Sequence, residues 1–327
     1  MKPRFRRRPD PGHRTGHGPG HRTGPDVDPG PGHSDRPPLS DAICVVVGAR
    51  GGIGRAIVGK LTEGGATVVE ADLPEYDAAD PASLRALLAD VTRDHGRIDV
   101  LVHAAGMVSN ETFGDRTTAD VDAELAVNLA SPMHLTRMAL PLLRNGRLAD
   151  VLRDRKRRSD RGSVRSHVVV LGSLGGVLPM PDQAVYAAGK FGLRGAMLSL
   201  AMSLRDEGIA VTSVLPSAVD TPMLWREVAE DGNALQFLGP PQTAAEIADS
   251  VRGVLGRRVA EVYPNRVDGW LSRAAMLAPN ALPAVLPRLE PLGRRGMAKY
   301  RAELEARGVL PLPDGRTTDG DHPATRG

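Results

Sequence analysis

The feature that most constrains the fold is a short apolar run that ends in glycine and leads directly into a helical pattern. Residues 42–47 are all apolar, and the next residues read Gly-Ala-Arg-Gly-Gly-Ile-Gly. An apolar run of this length that stops at a glycine is typical of a buried parallel strand. Apolar residues recur at helical spacing over 52–63, where Gly64 and Gly65 end the pattern. The sequence therefore predicts a strand, a tight turn and a helix in succession.

The same alternation of strand and helix patterns continues to residue 263. It predicts strands at 42–47, 66–71, 98–102, 167–171, 209–215 and 259–263, and helices at 52–63, 81–94, 120–143, 184–206 and 243–257. Asp80 is the predicted N-cap of the second helix, because Pro81 suits a first helical position. Alternation of this kind predicts an α/β fold with a doubly wound parallel sheet (a Rossmann fold) in a single domain.

The segments that flank this pattern differ from it in composition. Residues 1–38 hold nine Pro and seven Gly, with eight Lys/Arg against four Asp, and are predicted to be a disordered basic tail rich in Pro, Gly and His. The sheet domain is predicted over 39–264, with a charged insertion at about 144–165. Residues 265–327 are predicted to form a helical C-terminal extension and a loose tail. The extension has three readings: an appendage packed on the sheet domain, a lid over an apolar substrate, and, least favoured, a membrane-surface helix.

Composition excludes several classes of protein. The one cysteine, Cys44, rules out an internal disulfide and is predicted to be a buried structural thiol. No metal site is predicted, since four of the nine histidines fall in the first 33 residues. No apolar stretch resembles a secretory signal or approaches the ~20 residues of a membrane span, so a cytoplasmic location is predicted. The basic segments lack interleaved aromatic residues, and a nucleic-acid partner is not predicted.

Three residues in the second half of the chain suggest acid–base chemistry. Tyr186 and Lys190 are four residues apart and share a helix face, and Ser173 lies thirteen residues before the tyrosine. A free tyrosine has a pKa near ~10, and the neighbouring ammonium is expected to lower it. The pair suits proton transfer coupled to hydride transfer at an alcohol or carbonyl carbon.

The glycine turn suggests the source of the hydride. Between a strand and a helix, the glycines let the backbone approach a pyrophosphate, whose charge the helix N-terminus favours. The next strand ends at Asp72, where a carboxylate accepts hydrogen bonds from adenosine ribose hydroxyls and repels a 2′-phosphate. This favours NAD over NADP, although Arg50 within the turn leaves NADP open.

Taken in order, these motifs resemble the short-chain dehydrogenase/reductase family over residues 41–263. The turn is similar to the family's Thr-Gly-x-x-x-Gly-x-Gly, with Val47 in place of threonine. Asp77 resembles the family's adenine-binding aspartate, and His103-Ala104-Ala105-Gly106 resembles its Asn-Asn-Ala-Gly. Asn128 matches the catalytic asparagine, and Ser173 and Tyr186-x-x-x-Lys190 match the catalytic serine, tyrosine and lysine. Pro216-Ser217-Ala218-Val219-Asp220-Thr221 resembles the family's Pro-Gly-x-x-x-Thr. His103 and Ser217 depart from the family's asparagine and glycine.

The resemblance implies an NAD(P)-dependent oxidoreductase that assembles as a homodimer or homotetramer. The segments expected to line the substrate pocket, near 175–182 and 223–240, carry mostly apolar side chains, which predicts a small hydrophobic secondary alcohol or ketone as the substrate. The catalytic residues that the resemblance implies are Asn128, Ser173, Tyr186 and Lys190. The cofactor residues it implies are Gly48, Arg50, Gly52, Ile53, Gly54, Asp72, Asp77, Ala104, Ala105, Gly106, Tyr186, Lys190, Pro216, Val219 and Thr221. NAD is the favoured cofactor. The alternative is a catalytically silent nucleotide sensor or interaction protein on the same fold.

Overall fold

The computed structural model describes residues 39–152 and 164–311. The strands are β1 (Ile43–Val47), β2 (Thr67–Ala71), β3 (Val100–His103), β4 (Ser166–Leu171), β5 (Ile209–Val214), β6 (Val219–Asp220), β7 (Gln242–Thr243) and β8 (Glu261–Val262). The helices are α1 (Gly52–Glu63), α2 (Pro81–Asp94), α3 (Thr118–Leu125), α4 (Ser131–Arg144), α5 (Leu148–Val151), α6 (Ala184–Ser203), α7 (Pro222–Ala229), α8 (Ala244–Val254), α9 (Arg266–Ala275) and α10 (Leu282–Ala306). The predicted tail at 1–38, the core of the predicted insertion at 153–163 and the last residues from 312 lie outside the described residues.

One parallel sheet organises the domain, with strands in the order β2-β1-β3-β4-β5-β8. The predicted doubly wound α/β fold is therefore confirmed. In the usual six-stranded version of this fold a third strand lies outside the second one. Here β2 is followed by α2 and then by β3 on the other side of β1, so β2 forms the edge of the sheet. A short separate pair, β6 and β7, lies beyond the main sheet.

The alternating side chains of the central strands build both halves of the core. On β1, Cys44 and Val46 face one side, where they pack in a cluster with α1 and α8. Val45 and Val47 face the other side, where the cluster includes residues of α2, α4 and α6. All residues of β1 are buried, which is why the strand reads as an unbroken apolar run. The prediction for Cys44 is confirmed: it is a buried free thiol, and burial raises its pKa to about 12.

Local capping chemistry explains why two helices begin where the sequence predicts. The Asp80 carboxylate accepts hydrogen bonds from the backbone N–H groups of Ala82 and Ser83, and Pro81 occupies the first position of α2. The Thr243 hydroxyl and the Glu246 carboxylate form a reciprocal capping box at the start of α8. Each contact satisfies N–H groups that have no partner within the helix.

The single long helix predicted at 120–143 is wrong, because the structure divides it. A π-helical turn at Ala126–Ala130 separates α3 from α4. Pro132, in the first turn of α4, has no N–H to donate to the carbonyl of Asn128 four residues earlier, so a continuous α-helical ladder cannot form there. The interruption falls on Asn128, one of the predicted site residues, and π-turns are frequent at functional sites.

The described ends of the predicted charged insertion are anchored to the sheet domain. Leu148 is fully buried and Leu152 nearly so, and both join the core cluster on the α1 and α8 side. The N–H of Leu148 donates to the carbonyl of Arg165 at 2.9 Å, which ties the two ends together. Two apolar side chains among many charges thus hold the base of the insertion to the sheet.

The C-terminal extension is helical, as predicted, and packs closely on the sheet domain. A β-carbon on Gly293 would lie 2.4 Å from the carbonyl oxygen of Ala234, and one on Gly296 would lie 2.0 Å from that of Phe237. These glycines let α10 contact the backbone of a 3₁₀ turn at Ala234–Phe237. The Phe237 and Tyr300 rings are 5.7 Å apart at their centroids. Of the three sequence-based readings, packing on the sheet domain describes this part of the chain.

Candidate active site

The glycine turn between β1 and α1 has a geometry that only glycine fits at two positions. Gly48 has φ +79°, and a β-carbon there would lie 2.4 Å from the backbone nitrogen of Ala105. A β-carbon on Gly54 would lie 1.9 Å from the Gly48 carbonyl oxygen. The turn is therefore folded tightly against the residues that follow β3.

The start of α1 suits a pyrophosphate group. Gly51 caps the helix without a side-chain hydrogen bond, and its first turn contains no acidic residue. The N–H groups of that turn, which includes Gly52, Ile53 and Gly54, and the positive end of the helix dipole together favour an anion. A β-carbon on Gly52 would lie 2.7 Å from Thr221 Cγ2, so the segment after β6 meets the turn here. The residues present fit the phosphate part of a dinucleotide.

Asp72 and Arg50 lie together where the turn meets the end of β2. Asp72 accepts hydrogen bonds from the backbone N–H of Arg50 at 2.7 Å and from that of Leu73 at 2.8 Å. The Arg50 guanidinium forms an ion pair with Glu75 at 2.8 Å, on the surface. The carboxylate thus braces the turn from the position where the sequence predicted a ribose contact. The Arg50 guanidinium therefore has a protein partner, but solvent and salt screen an exposed pair of this kind, and it contributes little to stability.

The structure places Asp77 in the loop between β2 and α2. Its Oδ1 accepts a hydrogen bond from the Ala79 N–H, and its own N–H donates to Ser83 Oγ, both at 2.8 Å. These contacts shape the loop ahead of α2. Its predicted contact with adenine stays a prediction.

Gly106 lies at the point where two predicted catalytic residues meet. A β-carbon on Gly106 would lie 3.2 Å from Asn128 Oδ1 and 3.5 Å from Lys190 Nζ. The Asn128 amide donates to the Met107 carbonyl at 2.7 Å and accepts from the Met107 N–H at 3.2 Å. Asn128 thereby fixes the loop that follows Ala104, Ala105 and Gly106.

Ser173, Tyr186 and Lys190 lie close together at the end of β4. A β-carbon on Gly175 would lie 3.0 Å from the Tyr186 ring and 3.3 Å from Ser173 Oγ. The Ser173 hydroxyl and the Tyr186 ring are therefore close to each other, on either side of this glycine. Lys190 Nζ lies 5.6 Å from the centroid of the Tyr186 ring and donates to the Leu171 carbonyl at 3.2 Å. The structure therefore brings all four predicted catalytic residues to one place.

The electrostatics of this cluster differ from the sequence-based expectation. Burial raises the pKa of Tyr186 to about 12; a hydrogen bond with Ser173 opposes the rise, and Glu227 and Glu124 add to it. Burial also lowers the pKa of Lys190 to about 8, against the attraction of Glu124. The expectation that the ammonium leaves Tyr186 with a lowered pKa is therefore wrong for this structure. Desolvation of the phenolate outweighs the nearby charge.

His103, which departs from the family's asparagine, is a buried neutral residue. Its Nε2 lies 2.8 Å from Ser131 Oγ, within hydrogen-bond distance. Burial lowers its pKa to about 3, and the charge of Lys190 lowers it further. His103 thus joins β3 to the start of α4 and carries no charge at neutral pH.

The segment after β5 closes the site from the side of α1. The Pro216 carbonyl accepts from the Leu174 N–H at 2.9 Å, next to Ser173, and Thr221 Oγ1 donates to the Val219 carbonyl at 3.2 Å. Ser217, where the family has glycine, donates its hydroxyl to Gln242 Oε1 at 3.0 Å. This departure therefore supports the local structure instead of disturbing it.

Three acidic residues near the site were missed by sequence reasoning. Glu124 is fully buried and pairs with Arg116 at 2.6 Å. Glu227 is also buried, where burial raises its pKa and a hydrogen bond from Gln236 opposes the rise. The third, Asp220, accepts from Trp225 and Tyr300 at 2.5 Å and pairs with the arginine that follows α10. From sequence alone, a charged residue on a helix is expected to face solvent. No local signal therefore marked Glu124 or Glu227 as buried.

Asp220 joins the sheet domain to the end of α10. Its Oδ2 lies 2.8 Å from a nitrogen of Arg307, which is 87 residues away in the chain. Burial acts to raise the pKa of Asp220. Three hydrogen bonds outweigh this effect and hold the pKa below its usual value; they come from Tyr300, Trp225 and Arg307. This cluster fixes the C-terminal end of α10 beside β6 and the start of α7.

Comparison with known proteins agrees with this geometry. The family model of the short chain dehydrogenases matches residues 69–232. The chain is 27% identical over 251 residues to nodulation protein G of Azospirillum brasilense, covering 66% of this chain and 95% of that protein. It is 27% identical over 239 residues to the 3-oxoacyl-[acyl-carrier-protein] reductase FabG of Thermotoga maritima, covering 64% of this chain and 89% of that one. The chain belongs to the short-chain dehydrogenase family of oxidoreductases, which generally use NAD or NADP.

Solved structures share the fold at lower identity. Levodione reductase superposes with a TM-score of 0.59 at 21% identity, over 72% of this chain and 99% of that one. The aldohexose dehydrogenase of Thermoplasma acidophilum gives 0.56 at 20% identity, over 69% and 92%. Within residues 39–152 and 164–311, no group of acidic, cysteine and histidine side chains could hold a metal ion. No helix in that part of the chain is long and apolar enough to cross a membrane.

Proposed function

We propose that this protein transfers a hydride between a nicotinamide cofactor and a hydrophobic secondary alcohol or ketone, with Asn128, Ser173, Tyr186 and Lys190 as its catalytic residues. The observation that carries the proposal is their convergence at the carboxyl ends of β3 and β4, beside the glycine turn after β1. In open α/β sheets, ligands bind at this edge, where the strand order reverses. When bound, the cofactor supplies the carbon that gives or takes the hydride.

Each of these residues has a role that its surroundings support. The phenol of Tyr186 is kept protonated at neutral pH, because its pKa is raised to about 12. A protonated phenol is the form that donates a proton to a carbonyl oxygen during reduction, whereas in oxidation the phenolate form of the same group accepts the proton from the alcohol. Ser173 Oγ lies beside the phenol and holds the substrate oxygen where negative charge develops.

Lys190 and Asn128 act behind this pair. The Lys190 ammonium lies 5.6 Å from the Tyr186 ring centroid, close enough to favour the phenolate when the proton leaves. It is also the group expected to bind the nicotinamide ribose. Asn128 holds the loop after Gly106 and is expected to position a water that links Lys190 to solvent.

NAD is the proposed cofactor, with NADP as the variant to be tested. The carboxylate of Asp72 braces the turn at the end of β2, and it disfavours a 2′-phosphate by charge repulsion. Arg50, the one basic residue within the turn, is paired with Glu75. A comparison of Michaelis constants for the two dinucleotides decides between them.

A homodimer or homotetramer is proposed, formed through the outer faces of α4 and α6. Small residues occupy exposed positions along α6 at helical spacing: Ala188, Gly192, Gly195 and Ser199. Met202 at the end of the same helix is 73% exposed, and Met133 on α4 is 42% exposed. A strictly monomeric sedimentation profile would contradict this assembly.

The test of the proposed function is a screen of hydrophobic secondary alcohols and ketones, read by nicotinamide absorbance, followed by substitution of the phenol. Tyr186→Phe removes only the hydroxyl, and we expect kcat to fall by the ~10²–10⁴-fold that proton transfer supplies, with dinucleotide binding kept. Tyr76→Phe is the matched control, since its hydroxyl contacts Asp90 on α2, outside the cluster of four.

The outcomes separate the two candidate functions. Lys190→Ala is expected to weaken dinucleotide binding as well as turnover, whereas Ser173→Ala is expected to slow turnover alone. Near wild-type turnover in Tyr186→Phe would show that the proton-transfer assignment is wrong. Tight dinucleotide binding without turnover on any compound in the screen would favour the alternative, a nucleotide-sensing protein on the same fold.

A further inference from the structure

The C-terminal extension encloses an apolar groove beside the candidate active site. The groove has a volume of about 400 Å³, within the usual range for small-molecule sites. One wall is the loop that leads from Ser173 toward α6, and the other is formed by the end of α9 and the start of α10. The lining residues are Pro179, Met180, Pro181, Met276, Pro279, Leu282, Pro283, Leu286 and Pro287. All nine are apolar.

This groove adjoins a second, polar cavity. The polar cavity has a volume of about 350 Å³ and shares Pro181, Leu286 and Pro287 with the groove. It is also lined by Asp182 and Gln183, the residues that immediately precede α6. Gln183 is the residue before α6 and lies three residues before Tyr186, so the polar cavity lies at the start of the helix that carries the proposed proton donor. The two cavities meet at the three shared residues, with a polar lining on one side and an apolar lining on the other.

The walls of the groove are held in place before any ligand binds. Five of the nine lining residues are prolines, whose fixed φ limits backbone movement. The glycine contacts of α10 with the 3₁₀ turn at Ala234–Phe237 fix one side. In the same wall, the α9 residue Arg273 stacks on Tyr263 at 4.8 Å, and a β-carbon on Gly269 would lie 2.4 Å from the same ring. A preformed apolar site loses little affinity to ordering of the protein.

We propose that this groove binds the apolar tail of the substrate, and that the substrate is an amphipathic secondary alcohol or ketone with an extended aliphatic chain. The oxygen-bearing carbon lies at Tyr186 and the tail lies between the 179–181 loop and α10. The C-terminal extension is then a specificity element: it selects for chain length. This inference rests on the proposed function and adds to it the shape of the substrate.

The distribution of charge supports this orientation. The groove lining contains no ionisable side chain, whereas the polar cavity includes Asp182, Asp231, Glu290 and Arg294. A molecule polar at both ends would leave one polar group without a partner in the groove, which is costly. A molecule with one polar end and one apolar end satisfies both cavities.

The test uses methyl ketones of increasing length, from 2-butanone to 2-dodecanone. Each methylene group buried in the groove should raise kcat/KM about fourfold until the groove is full. Leu282→Asp places a charge in the groove, and we expect the ratio of kcat/KM for 2-decanone to that for 2-butanone to fall about fifteenfold, the effect of losing roughly two buried methylene groups. Leu292→Asp is the matched control, on the same helix but 56% exposed and outside the groove; its ratio should equal the wild-type ratio.

A second measurement does not depend on turnover. The neutral fluorescent probe N-phenyl-1-naphthylamine should bind the wild-type protein and be displaced by 2-decanone but not by 2-butanone. Leu282→Trp fills the groove with an apolar side chain, so it should abolish probe binding even if the Asp variant fails to fold. If no compound is turned over but displacement follows this pattern, the proposed function fails and the groove assignment stands.

Three results would overturn the groove assignment. The first is a chain-length ratio in folded Leu282→Asp that matches the wild type. The second is probe binding that survives in Leu282→Trp. The third is probe binding that disappears as the protein self-associates or when phosphatidylcholine vesicles are added, which would assign the groove to a second copy of this chain or to a lipid surface.

Discussion

Lys190 should destabilise the protein at neutral pH, so that Lys190→Met increases stability while it abolishes activity. The side chain is 5% exposed, and burial lowers its pKa from 10.5 to about 8. A pKa lowered by folding means that the unfolded chain binds the proton more tightly, so the protonated lysine opposes folding below pH 8 and stops doing so as the pH rises past 10.5.

The size of the effect follows from the two pKa values. Each unit of difference corresponds to about 1.4 kcal/mol, so the cost in the free energy of unfolding is about 3 kcal/mol at pH 7 and about 1 kcal/mol at pH 10. Methionine has nearly the same shape and carries no charge, but it forfeits the hydrogen bond to the Leu171 carbonyl, worth about 1 kcal/mol. Lys190→Met should therefore be about 2 kcal/mol more stable at pH 7, and the difference should vanish near pH 10.

The assay is thermal or urea unfolding of both proteins without added dinucleotide, across pH 7 to 10. A gain of 2 kcal/mol corresponds to a rise in melting temperature of about 5 °C for a domain of this size. Comparison of the two proteins at each pH cancels the titration of every other group. Lys299→Met, at an exposed position of α10, should change stability by less than about 0.5 kcal/mol at any pH. A Lys190→Met protein that melts below the wild type at pH 7 would refute the reasoning, as would a difference that does not shrink with rising pH.

Two further predictions concern the cofactor and the extension. Asp72→Asn keeps the shape of the side chain that braces the turn but removes its charge. The ratio of kcat/KM with NADP to kcat/KM with NAD should therefore rise about tenfold. An unchanged ratio would show that the carboxylate does not set the cofactor preference. Gly296→Ala would place a β-carbon 2.0 Å from the Phe237 carbonyl oxygen and should cost about 1–3 kcal/mol in the free energy of unfolding. Gly59→Ala, in α1 with no atom within 4 Å of the new carbon, should instead stabilise by about 1 kcal/mol, and urea denaturation that fails to separate the two variants would contradict the packing described.

Local chemistry made much of the fold predictable. The predicted bounds of α1 and α2 match the structure, because glycine, proline and an N-cap aspartate act on their immediate neighbours. The strands were found because parallel strands with both faces covered are apolar throughout. The candidate site was located for a related reason: its residues lie at strand ends, and a parallel sheet brings those ends to one edge.

The remaining features depend on contacts that no local pattern records. The π-turn at Asn128 arises where Pro132 cannot donate a backbone hydrogen bond. In the sequence, Pro132 looks like an ordinary proline in the first turn of a helix, because the pattern does not show that another helix leads directly into it. The burial of Glu124 with Arg116 and the raised pKa of Tyr186 both come from the packing of other elements around them. The Asp220 contacts with Tyr300 and Arg307 join residues 80 and 87 positions apart. Contacts between residues so far apart in the chain leave no local pattern, so a single sequence does not predict them.

The position of α10 has a consequence for how the protein is made. Ribosomes add about 5–20 residues per second, so Arg307 emerges about 4 to 17 seconds after its partner Asp220. When Val262 emerges within that interval, the nascent chain holds the described strands, the glycine turn and the residues at their ends, but one wall of the apolar groove does not yet exist. Recognition of the substrate tail is thus the last property acquired during synthesis. It is also the one most open to change over evolution, since substitutions after residue 265 can reshape it without altering a strand of the sheet.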